Sequence, residues 1–180
     1  MIAIEEIIEG CKKGCEKHQS LLYKVYAGKM FALCLYYSKN RSDAEDLLQD
    51  GFIKVFNSIT QVKDISLFDY WIRKVFVNCA LARYRKMDLV HFEIDLPEPD
   101  NNLHYENIID TLSAQEITQL IQSLSPQYQI VFNLYAIEGY SHKDIAEMLH
   151  ISENTSKSNL SRARAIMQDK VSKHQNFERL

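Results

Sequence analysis

Glycine and proline are scarce in this chain, at 5 and 3 residues of 180. Strand alternation bounded by hairpin signals is missing as well, and helix-forming residues dominate. The simplest class is all-α. The 4 cysteines, Cys11, Cys15, Cys34 and Cys79, are too few and too scattered for a disulfide framework. No apolar run is long enough to span a membrane, and the acidic, Ile-rich N-terminus is not a signal peptide. A cytoplasmic protein without membrane insertion is therefore expected. Also lacking are a phosphate-binding loop, a nucleophile elbow and a convergent acid/base pair, so neither enzymatic activity nor a cofactor is expected.

The most informative shortage is of positive charge in one place. Residues 87–142 hold no Lys or Arg and 9 Asp/Glu. Residues 1–86 hold 14 Lys/Arg and 10 Asp/Glu, and residues 143–180 hold 7 and 5. The overall charge of -3 thus conceals two mildly basic lobes around an acidic middle. A polyanion would feel the local fields, because screening limits their reach to roughly 10 Å. Leu96-Pro97-Glu98-Pro99-Asp100-Asn101-Asn102 carries two prolines and no periodicity, which marks a linker. The expected organisation is a helical bundle over 1–90, an acidic linker over 91–110 and a second small helical domain over 111–180.

What is present is helical periodicity. In the first domain, helices are expected from Ile4 to about Cys15, over 19–39, from Asp43 to about Ile59, and from Leu67 or Phe68 to about Met87. Ser42 and Glu45 have the spacing of a capping box for the third. In the second domain, Thr111–Ser123 is expected to be helical. Ser125-Pro126, a cap followed by proline, opens a helix that ends near Gly139.

The stretch Glu138–Lys157 reads as helix, tight turn, helix. Ser141 and Asp144 form a capping box, and Ile145, Ala146 and Leu149 fall on one face. Ile151 supplies an apolar plug in the turn, and Ser152 caps the second helix. Along that helix Ser156, Leu160, Ala163 and Met167 line one stripe. The opposite side carries Asn154, Thr155, Lys157, Ser158, Ser161, Arg162 and Arg164. These residue types donate to phosphates and base edges, so this helix is expected to read the DNA major groove.

Two further surfaces lie in the first domain. From Tyr70 to Met87 the fourth helix has five basic residues and no acid: Arg73, Lys74, Arg83, Arg85 and Lys86. Tyr70, Trp71, Phe76 and Tyr84 interleave with them, and Asn78 adds an amide. This is the composition of a surface for single-stranded or melting DNA. For the aromatic residues, burial in the core is favoured over base stacking. On the third helix, Asp46, Gln49 and Asp50 fall at i, i+3 and i+4 away from the apolar stripe. The helix dipole accounts for Asp43 and Glu45 in the first turn, but less well for these three. They form either a solvated face or a dock for a basic protein partner.

These pieces occur in a known order. The chain resembles the sigma-70 family of bacterial transcription initiation factors, in particular the compact two-domain extracytoplasmic-function type. The resemblance covers roughly residues 18 to 170. It rests on Leu22-Tyr23…Tyr26…Met30, on Asp43 through Phe56, on Phe68-Asp69-Tyr70-Trp71-Ile72-Arg73…Asn78…Arg85-Lys86, and on Leu124-Ser125-Pro126 through Arg164. It implies binding to core RNA polymerase through Asp46, Gln49 and Asp50. It implies recognition and melting of the −10 element by the segment of Trp71, Arg73, Asn78 and Arg85, with Lys74, Arg83 and Lys86 alongside. The preceding loop, Gln61 to Leu67, matches one that captures a flipped base. Residues 154–164 match the −35 recognition helix. Family members are often held by an anti-sigma factor, a partner that no motif here identifies. A sigma-like adaptor, or another helix-turn-helix regulator that forms no active holoenzyme, is the competing reading.

Three positions depart from the family pattern. His150 stands where glycine is usual, in a turn that often wants φ > 0. Ser156 replaces a core valine, which is expected to loosen the recognition helix. Ala82 replaces a common aspartate. Separately, Cys11, Cys15 and His18 at i, i+4 and i+7 would share one helical face. A structural zinc site wants four ligands and no fourth is evident, so no metal is expected.

Overall fold

The computed structural model describes residues 3–88 and 113–177, and among these all regular structure is helical. The helices are α1 (Ile4–Lys12), α2 (Glu16–Tyr36), α3 (Arg41–Ser58), α4 (Phe68–Asp88), α5 (Ala114–Gln122), α6 (Pro126–Phe132), α7 (His142–Leu149) and α8 (Glu153–Phe177). Two single 3₁₀ turns, Ile59–Gln61 and Ile65–Leu67, join α3 to α4. The chain divides into two compact units, Met1–Arg83 and Tyr84–Leu180. The acidic linker expected over 91–110 lies outside the described residues.

In the first unit, α2 buries Leu22, Tyr26, Met30 and Leu33, and α3 buries Ala44, Leu47, Phe52 and Val55. Phe68, Ile72 and Phe76 come from α4. Burying each large side chain contributes roughly 1.5–3 kcal/mol. The Phe52 and Phe76 rings meet edge-to-face with centroids 5.4 Å apart. Gly51 lets α3 and α4 approach this closely: a Cβ there would sit 2.1 Å from Cε1 of Phe76.

Several helix boundaries in the first unit differ from the sequence expectation. Helix α3 begins at Arg41, because Asn40 takes the cap and its side-chain oxygen accepts from the Asp43 backbone N–H at 2.9 Å. Asparagine is a strong N-cap, and this one lies two residues ahead of the expected Ser42. Glu45, expected to reach back toward Ser42, instead pairs with Arg41 at 2.8 Å. Helix α1 ends at Lys12 rather than near Cys15, since Gly14 adopts φ 74° and reverses the chain. Cys15 then sits at the cap of α2.

In the second unit, Ser113 and Glu116 form a reciprocal capping box that starts α5 three residues later than expected. Ser125 makes no side-chain cap bond, so the start of α6 rests on Pro126. The helix widens over Asn133–Ile137, where the Glu138 N–H donates to the Asn133 carbonyl five residues back, and ends at Gly139 with φ 77°. The core here is Ile121, Leu124, Tyr128, Val131, Leu134, Ile145, Leu149, Leu160, Ala163 and Val171.

Candidate nucleic-acid interface

The outward face of α3 is polar. Asp46, Gln49 and Asp50 are all exposed, and Ile53, one turn further on, is 61% exposed. The three residues are therefore brought together as their spacing required. Asp50 is nevertheless engaged. Its Oδ2 accepts from Arg83 Nε at 3.1 Å and from Nη2 at 2.5 Å, while Arg83 Nη1 donates to the Asp43 carbonyl at 3.2 Å. Arg83, expected among the DNA contacts, instead ties α4 to α3.

Beside α4 lies a cleft of about 610 Å³. Helix α4 contributes Trp71, Lys74, Val75, Asn78, Cys79 and Ala82 to its lining. Helix α3 contributes Lys54 and Ser58, and the connecting turn contributes Gln61. Of the expected −10 residues, this cleft gathers Trp71, Lys74 and Asn78. Arg73 is half-buried and does not line it, and Arg85 and Lys86 are exposed nearer the end of the helix. Core burial holds for Phe76 but not for its neighbours. Tyr70 is 60% exposed, and Trp71 is half-buried against Phe68, with ring centroids 5.5 Å apart. Lys54 and Ser58 were not singled out from the sequence. They belong to a different helix, and only the α3–α4 packing makes them neighbours of Trp71.

The loop before α4 is locally braced. The Asp64 carboxylate accepts from the Ser66 backbone N–H at 2.9 Å and from its hydroxyl at 2.7 Å. These bonds hold its pKa below the usual carboxylate range. Leu67, at the end of the loop, is 57% exposed. Near the start of α4, the Tyr26 hydroxyl donates to the Asp69 carboxylate. Burial and that carboxylate together push the phenol well above its ordinary pKa.

The helix-turn-helix is built as its sequence indicated. Ser141 and Asp144 cap α7 reciprocally. His150 ends it in the left-handed region at φ 57°, ψ 40°. Ser152 Oγ accepts from the Thr155 N–H at 2.9 Å to cap α8. Asn154, Thr155, Lys157 and Ser158 are exposed, whereas Ser161, Arg162 and Arg164 are half-buried. Two of the expected base readers are partly committed within the helix. The Thr155 hydroxyl lies 2.8 Å from Ser152 Oγ, and the Ser158 hydroxyl donates to the Thr155 carbonyl at 3.0 Å. The Arg164 guanidinium lies over the Tyr135 ring, 5.7 Å from its centre. On the inner stripe Ser156, Leu160 and Ala163 are buried, and Met167 is half-buried.

The expected common helical face of Cys11, Cys15 and His18 does not form, because the turn at Gly14 places Cys11 on α1 and His18 on α2. Cys11 is buried, and burial, with Cys15 nearby, pushes its thiol up to about 11. A thiol held neutral is a poor metal ligand. Among the described residues no group of three or more His, Cys, Asp or Glu is placed to hold a metal ion.

Two family models match this chain: sigma-70 region 2 over residues 22–89 and sigma-70, region 4 over residues 114–167. The first match lies mostly in the first unit and the second lies within the second unit. The chain is 29% identical over 159 residues to the ECF RNA polymerase sigma factor SigE of Mycolicibacterium smegmatis, covering 85% of this chain and 61% of that protein. It is 25% identical over 179 residues to the ECF RNA polymerase sigma-E factor of Haemophilus influenzae, covering 93% and 94%. To the ECF RNA polymerase sigma factor SigW of Bacillus subtilis it is 24% identical over 180 residues, covering 93% and 96%. Among solved structures, the sigma factor RpoE of Bartonella quintana, in complex with the anti-sigma factor NepR, aligns with a TM-score of 0.49 at 22% identity. That alignment covers 86% of this chain and 96% of the other. The chain belongs to the sigma-70 family and is an extracytoplasmic-function sigma factor, a promoter-directing factor of transcription initiation.

Proposed function

We propose that the two units divide the work of initiation. Residues 1–90 act as the region that binds core RNA polymerase and the −10 element, and residues 111–180 as the region that binds the −35 element. Asp46 and Gln49 present the polar docking face on α3, with Asp50 shared between the partner and Arg83. The cleft on α4 takes an unstacked nucleotide of the melted −10 element. Trp71 offers a ring face, Asn78 and Gln61 offer amides to base edges, and Lys54 and Lys74 lie where a phosphate would pass. Arg73, Arg85 and Lys86 add positive charge along the same helix. In α8, Asn154 and Lys157 lead the major-groove contacts, and the more enclosed Arg162 and Arg164 favour the phosphates.

The single observation that carries this reading is the cleft. Two lysines, a half-buried tryptophan and two amides converge there from α3, the connecting turn and α4. Polymerase supplies the catalytic metal, and this chain performs no chemistry. It works in the cytoplasm, where an anti-sigma factor is its expected antagonist. Among the described residues no helix is long and apolar enough to cross a membrane.

Purified chain and core polymerase test the proposal. A stoichiometric complex that yields promoter-specific run-off product is expected. A complex without specific product would make the chain an adaptor. Specific DNA binding without a polymerase complex would make it a regulator of another kind.

A further inference from the structure

The contact between α7 and α8 has buried apolar residues on both sides, Ile145 and Leu149 on α7 and Leu160 and Ala163 on α8. At one point it is polar. Ser156 is completely buried, and a buried hydroxyl left unpaired is destabilising. It is not left unpaired. Nδ1 of His142, the first residue of α7, lies 2.9 Å from Ser156 Oγ. The His142 ring is stacked on Tyr135, with centroids 4.6 Å apart and planes 22° apart. The same Tyr135 ring carries the Arg164 guanidinium. Helix α8 is thus held at Ser156 and again at Arg164, about 12 Å further along its axis, by a single histidine–tyrosine stack.

This contact differs in kind from its neighbours. Apolar packing is non-directional and tolerates small slides and rotations of one helix on another. A hydrogen bond weakens steeply with distance and angle. This directional tie therefore selects a particular register from those the apolar contacts would accept. The expectation that Ser156 loosens α8 is replaced by its opposite: the serine gives the histidine something to hold.

We infer that His142 is a positioning residue for −35 recognition. Through Ser156 it fixes the axial register and rotation of α8, and so the seating of Asn154, Lys157 and Ser158 in the major groove. The inference rests on the reading of α8 as the −35 helix.

The test uses the full chain assembled with core polymerase. Its probes are the duplex that the unaltered holoenzyme enriches from a pool randomised across the −35 position, and the same duplex with that segment scrambled. His142→Phe keeps a ring to stack on Tyr135 but removes the nitrogen. His142→Asn gives up the ring but retains a polar atom close to the Nδ1 position. His142→Phe is expected to lower discrimination between the duplexes by about tenfold, the loss of one good base contact, whereas His142→Asn stays within about twofold of the unaltered protein. The double variant His142→Phe/Ser156→Ala leaves no hydroxyl unpaired, so it stays folded even if the single variant does not. It is expected to lose discrimination like His142→Phe. Full discrimination by the folded double variant would overturn the inference, as would equal damage from Asn and Phe at 142. If the unaltered holoenzyme enriches no −35 sequence, the reading of α8 itself fails, and that is visible before any variant is made.

Discussion

Replacing Gly51 by alanine probes the contact that sets α3 against α4. Alanine is the better helix former by about 1 kcal/mol, so propensity alone predicts stabilisation. The structure predicts the reverse. The new Cβ would lie 2.1 Å from Cε1 of Phe76 and 2.5 Å from Cδ1 and Cζ, where carbon atoms rest at about 3.5–4.0 Å. Phe76 is 1% exposed and braced edge-on by Phe52, so the ring has little room to retreat. Overpacking of this kind costs about 1–3 kcal/mol, and here the upper end applies because three ring atoms are struck at once. The net loss is about 1–2 kcal/mol once the propensity gain is set against it. For a unit of this size that lowers the melting midpoint by roughly 5–15 °C. Trp71 is the single tryptophan and lies in the first unit, so its fluorescence reports that transition selectively. Phe76→Leu should cost less in the Gly51→Ala background than in the unaltered protein, since it relieves the clash it would otherwise leave as a cavity. A Trp71-reported midpoint equal to or above that of the unaltered protein would refute the reasoning.

Three further outcomes are expected. Asp46→Arg should weaken association with core polymerase while leaving the Trp71-reported midpoint unchanged, because Asp46 is exposed and stands outside the Asp50–Arg83 pair; unchanged affinity would remove the docking assignment. His150→Gly should stabilise the second unit by about 0.5–1 kcal/mol by relieving a left-handed non-glycine residue, a shift measurable by calorimetry and contradicted by any loss of stability. The second unit should also lose stability in acid over two windows. Burial, with Lys157 and Arg164 nearby, holds His142 below its ordinary pKa, so the unfolded chain takes up that proton first. Stability then falls as pH drops from about 6.5 to the depressed folded value and levels off below it. Asp144, held low by its bonds from Ser141, adds stability above the ordinary carboxylate value that is lost as pH falls through its lower folded value. His142→Asn should abolish the first window in a melting series from pH 8 to 5; an unchanged slope would assign it to another group.

The Asp50–Arg83 pair shows how a residue's assignment changes with its surroundings. As sequence, Asp50 belongs to an acidic face and Arg83 to a basic run. In the folded unit each is the other's partner. The pair is partly exposed, with side-chain exposures of 57% and 35%, so it adds little to stability. Its consequence is geometric: it joins α3, the helix proposed to dock on polymerase, to α4, the helix proposed to meet DNA.

Local chemistry was legible without coordinates. The helices, the helix-turn-helix, the Ser141–Asp144 cap and the left-handed His150 follow from periods, caps and turns that span a few residues. So does the outward face of Asp46, Gln49 and Asp50, because 3.6 residues per turn settles which side chains align. Some boundaries still slipped where two local signals competed, as at Asn40 and Ser42, or where one glycine overrode a period, as at Gly14. What only the tertiary structure decided were relations between residues far apart in the chain. These include Lys54 and Ser58 entering the cleft of Trp71, Arg83 turning from DNA to Asp50, and His142 meeting Ser156. Such pairs are created by helix packing, and packing depends on the summed shape of two surfaces, which no single window of sequence contains.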